Sequence, residues 1–146
     1  MFTEKRSTYV GLFSFLKLDN HFYLEVTKNR MNIIDNTDEE ILEVAHPMWE
    51  DLINYSNEGE YGKFTRKFSY ECLIGLNEVE VGKQFAKSEL TRNLATDYDY
   101  LGLIRRGQHV TVLYRVRSTK KEGEWLGRMV LGYEDGEIKI FAASIF

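Results

Sequence analysis

The chain is poor in the residues that cross-link or interrupt a fold. Cysteine occurs once, at Cys72, so no intrachain disulfide can form, and the cytoplasm is the compartment this usage suits. Proline occurs once, at Pro47, and with the glycines scattered no tract reads as a linker. No internal repeat or low-complexity segment stands out. The three histidines, His21, His46 and His109, show no His-Glu-x-x-His or similar ligand spacing, and no metal or cofactor is expected. No apolar run approaches the roughly 20 residues that a membrane helix needs. Lys5 and Arg6 ahead of the apolar stretch from Val10 to Leu16 imitate a secretion signal. That stretch stops at Lys17 and Asp19 without a small-residue cleavage site, so it is read as structure. A strong charge of one sign is missing too: 23 acidic against 19 basic residues leave a formal charge of -4. Nothing in that balance draws the protein to nucleic acid or to an anionic membrane.

What the chain does have is apolar and aromatic mass. Of its 146 residues 43% are hydrophobic and 14% aromatic, which excludes a disordered class. A chain of this length buries roughly two thirds of the surface its unfolded state exposes, enough for one domain without a staple.

Three segments differ in periodicity. In residues 1–35, Leu12, Ser14, Leu16 and Leu18 alternate with Phe13, Phe15 and Lys17. After Asp19-Asn20 the alternation resumes with Phe22, Leu24 and Val26. An extension carrying a hairpin is expected there, with a helix through Leu12 to Leu16 as the competing reading. Residues 36–95 read as helical. Thr37 and Glu40 have capping-box spacing, Ile41, Ala45, Met48 and Leu52 recur at helical intervals, and Gly59 is a natural stop. Pro47 should kink or restart this helix. A short helix carrying Tyr61, Phe64 and Phe68 on one face should follow. A third should start near Asn77 and run through Val81, Phe85, Leu90 and Leu94. Residues 96–146 read as a four-stranded antiparallel meander. Val110, Val112, Tyr114 and Val116 line one face of one strand, Trp125, Met129, Leu131 and Tyr133 that of another, and Ile138, Ile140 and Ala142 that of the last. Asp135-Gly136 supplies a tight turn. The expected core is Trp49, Leu52, Phe64, Phe68, Phe85, Val110, Val112, Met129, Leu131 and Ile140.

Helices followed by a meander make an α+β order. The long helix with Trp49, then Gly59-Glu60-Tyr61, Phe64 and Phe68-Ser69, then the segment from Val110 to Phe146 with its arginines and Asp-Gly hairpin, resemble the nuclear-transport-factor-like, or cystatin-like, α+β cone over about residues 38–146. The resemblance implies helices on a curved antiparallel sheet, a pocket at the open end, and dimers formed through the outer sheet face. Members include ketosteroid isomerases, scytalone dehydratases and polyketide cyclases as well as binding proteins. The catalytic sets of those enzymes have no matching residues here, so no role is carried over.

Candidate site residues follow from the faces. Trp49, Tyr61, Tyr98, Tyr100, Tyr114 and Trp125 are expected to line a pocket suited to a small apolar ligand. Asp99 is the nearest candidate for a general base, with Tyr98 or Tyr114 as proton donor, against the plainer reading of a solvated loop. His46 and Glu50 stand four apart and could share a metal, but two ligands do not make a site and a solvated helix face is the plainer reading. Cys72 and His109 are weighed as a nucleophile pair against a buried inert thiol. Arg115, Arg117 and Arg128 share the face opposite the valines, where cross-strand pairing with Glu124 or Glu134 competes with anion binding. Leu113, Leu126, Val130, Phe141 and Ala143 lie on the same face and suggest a sheet-to-sheet homodimer. A non-catalytic ligand-binding or protein-interaction domain is the first expectation. The alternative is an isomerase, dehydratase or cyclase acting on an apolar substrate.

Overall fold

Helix α1 spans Asp38–Glu58 and is closed at both ends by its own sequence. At its start the Glu40 amide donates to Thr37 Oγ1 at 3.1 Å, and the Thr37 amide donates to Glu40 Oε1 at 2.9 Å. This reciprocal pair satisfies two of the donors every helix start leaves free. At its end Gly59 adopts φ 71°, a left-handed turn that favours glycine. There the Gly59 amide donates to the Ser56 carbonyl and that of Glu60 to the Tyr55 carbonyl, the bonding of a Schellman cap. The helix does not restart at Pro47 but runs through it. Both Pro47 and Glu43, whose carbonyl loses its bond to the missing N–H, are solvent-exposed. Water can therefore take the place of that bond.

The computed structural model describes residues 32–74 and 88–146. The hairpin expected within residues 1–35 lies outside them, apart from one turn of 3-10 helix at Ile33–Asp35. The start of the third expected helix, with Asn77, Val81 and Phe85, lies outside them as well. That helix does not reach its expected end: Leu90 stands in a turn and Leu94 opens a strand. The second expected helix is a single turn, α2, at Tyr61–Phe64. Phe68 lies beyond it and forms a bridge to Ile140. A further short helix, α3, at Tyr70–Ile74 was not foreseen. Its first turn is held by Ser69 Oγ, which accepts from the Cys72 amide, and by the Glu134 carboxylate, which accepts from the Tyr70 amide.

Four strands form one antiparallel sheet in chain order: β1 Leu94–Arg106, β2 His109–Ser118, β3 Trp125–Glu134 and β4 Glu137–Ile145. The Asp135-Gly136 turn is as expected, with φ 55° and 80° joining the Glu134–Glu137 pair. Positive φ at both centres is the two-residue turn that matches strand twist. The ladder is irregular at three places: between Leu94 and Tyr98 the shift is of two residues and keeps the facing, whereas the other two reset which face a residue occupies. In β1 the register shifts between Tyr100 and Gly102, leaving Leu101 unopposed. In β4 the shift leaves Phe141 as the extra residue, since Val130 pairs with Ala142 while Leu131 pairs with Ile140. Ala143 therefore turns inward beside Met129 and packs on the core, and the expectation that it joins the outer patch is corrected. Strict alternation fails there because a bulge inserts one residue and inverts the facing beyond it.

The core lies between α1 and one sheet face. Ile41, Ala45, Met48, Trp49, Leu52 and Ile53 meet Val110, Val112, Tyr114, Val116, Met129, Leu131 and Ile140. Of the expected core, Phe64 is only partly buried and Phe85 is not among the described residues. Helix and sheet are also pinned by Asn57. Its Nδ2 donates to the Leu94 carbonyl at 2.9 Å, and the Leu94 amide donates to its Oδ1 at 2.8 Å. One side-chain amide thus stands in for a strand neighbour at the start of β1. The buried Ser56 hydroxyl donates to the Thr91 carbonyl close by.

Candidate functional site

Where α1 crosses β1 and β2, rings and hydroxyls collect around Tyr114. Alternation in β2 turns Tyr114 inward between Val112 and Val116, and it is fully buried. Trp49 stacks on it with ring centroids 4.8 Å apart and planes 13° from parallel. Tyr98 meets it edge-on at 5.2 Å and Tyr100 at 6.4 Å. The floor beneath Trp49 is Gly127, which pairs directly with Tyr114. A Cβ there would sit 2.4 Å from Trp49 Cζ2, so only glycine leaves room for the indole.

His46 and Glu50 supply the polar contacts. His46, Trp49 and Glu50 stand at i, i+3 and i+4 and share one stripe of α1. His46 Nδ1 lies 3.0 Å from the Tyr114 hydroxyl. Depending on tautomer, the hydroxyl donates to a bare Nδ1 or receives the Nδ1 proton. The Tyr98 hydroxyl donates to Glu50 Oε2 at 2.7 Å. Both phenols are held neutral. Tyr98 is pushed up to about 12, by burial first and then by the bond to and charge of Glu50. Tyr114 is pushed up further, by burial first and then by Tyr98, Tyr100 and Glu50. Trp49 Nε1 is buried and has no hydrogen-bond partner among the described residues.

The expected pocket residues therefore divide. Trp49, Tyr98, Tyr100 and Tyr114 come together. Trp125 packs partly buried against the core opposite Val116, next to Gly123, while Tyr61 stands in α2 beyond the end of α1. Asp99 is not in the cluster. It faces the opposite side of the sheet, where Asp99 Oδ2 accepts from Arg117 Nη2 at 2.7 Å and from Arg115 Nη1 at 3.2 Å. Those two bonds hold its carboxyl below the usual range, the reverse of what a general base near neutrality needs. Glu124 joins this lattice at 3.3 Å from Arg115 Nε, so the cross-strand reading of those arginines describes the contacts found. Arg128 instead bonds Ser144 Oγ and lies 5.8 Å from the centroid of the Phe146 ring. Burial pushes the Cys72 thiol up, and His109 packs edge-on against Phe141.

The sequence offers His46 and Glu50 as a metal pair or, more plainly, as a solvated helix face, and neither describes the contacts to Tyr114 and Tyr98. Among the described residues no group of three or more His, Cys, Asp or Glu side chains could hold a metal ion. The signal available for their actual role was Trp49 on the same stripe. No helix of the described residues is long and apolar enough to cross a membrane. The chain matches no family model, no curated protein and no solved structure.

Proposed function

We propose that this chain is a non-catalytic interaction domain of the cytoplasm, built as an α+β cone like those of the nuclear-transport-factor-like proteins, and that it self-associates through the outer sheet face. The observation that carries the reading is the contrast between the two faces. On the inner face the hydroxyls of Tyr114 and Tyr98 are engaged by His46 and Glu50, and Trp49 is stacked on Tyr114. On the outer face Leu113, Leu126, Val130, Phe141 and Ala142 gather around Arg128, which stands opposite Leu113 and is turned onto Ser144 and the Phe146 ring, and Leu126 is 38% exposed. The Arg115, Arg117, Asp99 and Glu124 lattice borders this apolar patch, which is the arrangement of an interface core with a polar rim. Light scattering of the full chain at tens of micromolar tests the reading, since a stable interface of standard size, about 1,600 Å², should hold a dimer there. Leu126→Glu with Val130→Glu should abolish the face contact and lower the association measured. A wild-type monomer at that concentration refutes the reading.

One observation favours a second reading, an isomerase, dehydratase or cyclase acting on an apolar substrate. Two tyrosine hydroxyls each have a base within hydrogen-bond distance, and Trp49 Nε1 beside them is an unused donor. A flat apolar carbonyl compound taking that donor should raise thermal stability by about 2.7 kcal/mol at 100 times its Kd. The gain should vanish in Trp49→Phe.

A further inference from the structure

The two edges of the sheet are treated differently. Along β4, the Ile140 amide donates to the Lys67 carbonyl and the Ser69 amide to the Ile140 carbonyl, so residues 67–69 cover that edge at its middle. Along β1, Asn57 occupies Leu94 alone. Among the described residues nothing bonds the rest of that edge. It is long, with β1 running thirteen residues, and it is apolar. Tyr100, Leu101 and Ile104 are 38%, 45% and 48% exposed. Unpaired backbone beside exposed apolar side chains is a template for another strand.

The charges on β1 select which strand. Its first half carries Asp97 and Asp99, its last two residues are Arg105 and Arg106, and the centre from Tyr100 to Ile104 is uncharged. Laid antiparallel on itself, such a strand sets acid against base at both ends. Laid parallel, it sets like against like. We propose that β1 pairs antiparallel with β1 of a second copy about a two-fold axis, joining two four-stranded sheets into one of eight strands. This contact uses the edge of the sheet and goes beyond the face contact proposed above.

The bulge fixes the register. Because Leu101 is the extra residue, the two halves of β1 are out of step by one, and an axis through the bulge brings them back into step across the contact. Tyr100 then faces Leu103 of the partner subunit on the helix side. Asp97 faces Arg106 of the partner subunit on the outer side. Both charges are available. Arg106 is exposed and has no ion-pair partner among the described residues, and Asp97 keeps 77% of its side chain exposed beside Arg117. Arg105 is committed elsewhere, to Asp38 at 2.7 Å and to the carbonyls of Ile34 and Asn36.

Charge reversal and charge exchange on the full chain test this. Arg106→Asp places two like-charged pairs across the contact and should weaken self-association roughly tenfold or more, read by sedimentation velocity. Asp97→Arg should act likewise. The double variant Asp97→Arg with Arg106→Asp restores opposite charges and should recover the wild-type constant, which a general loss of folding would not. Amide exchange in residues 95–106 should also slow as protein concentration rises. Leu126→Glu with Val130→Glu leaves the edge intact, so a remaining concentration-dependent protection of residues 95–106 supports the edge contact even if the face contact is absent. The proposal is overturned if those amides exchange at a rate independent of concentration, or if the double variant associates no better than the single ones.

Discussion

Gly127→Ala probes whether the aromatic cluster is seated as described. The new methyl would stand 2.4 Å from Trp49 Cζ2 and 2.8 Å from Cη2, more than 1 Å inside the ~3.5–4.0 Å at which carbon atoms rest. The ring has little room to yield, because it is stacked on Tyr114 and Trp49 is 3% exposed. Overpacking of this kind costs about 1–3 kcal/mol, and sliding off Tyr114 would forfeit ~0.5–1.5 kcal/mol of ring pairing. Against that stands a gain of ~0.4–1 kcal/mol from the stiffer unfolded chain, which applies because Gly127 is not among the positive-φ glycines. The expected net loss is about 1–3 kcal/mol, a fall in Tm of roughly 3–10 °C for a domain this size. Urea melts followed by tryptophan fluorescence would read it. In a Trp49→Leu background the same substitution should cost nothing or stabilise, giving a coupling energy of the size expected for residues in contact. A Gly127→Ala protein as stable as wild type, or equal costs in both backgrounds, would refute the packing described.

Three further outcomes are expected. Thr37→Ala removes the acceptor for the Glu40 amide and should cost ~1 kcal/mol in denaturant melts. Asn57→Ala strands both backbone groups of Leu94 and should cost about 1–3 kcal/mol, with faster amide exchange at Leu94 before other β1 positions. Tyr98 binds its proton more tightly folded than unfolded, about 12 against 10. The stability it lends is present below pH 10 and lost as pH climbs toward 12, so the alkaline melting slope should flatten in Tyr98→Phe.

Local signals were legible and distant ones were not. The Thr37–Glu40 box, the Gly59 cap and the Asp135-Gly136 turn each depend on residues within a few positions, and each stands where the pattern put it. Alternation found the inner faces of β2 and β3. It misplaced Ala143 because the bulge at Phe141 leaves no mark in a two-residue period. The restart weighed at Pro47 does not occur for a related reason: its cost depends on whether the orphaned carbonyl meets water, which is a matter of tertiary position. The Tyr114 cluster was half visible, since its aromatic members lie on predictable faces. Its polar members were not, because the bond between His46 and Tyr114 spans 68 positions and a helix stripe does not announce which strand it will meet.

The strand order of the sheet repeats the chain order, and this shapes how the molecule assembles itself. Each hairpin joins neighbours in the sequence, and two-residue loops such as Asp135-Gly136 cost little closure entropy. Strand pairing is thus the low-contact-order part of the fold. The contacts that α1 makes are of the other kind: Asn57 to Leu94 spans 37 positions and His46 to Tyr114 spans 68. Pairing of that kind forms on the timescale of hairpins, whereas the contacts of α1 close much longer loops. A sheet without α1 would leave Tyr114 and the valines of β2 facing water, so the helix is what covers the stickiest side of the sheet.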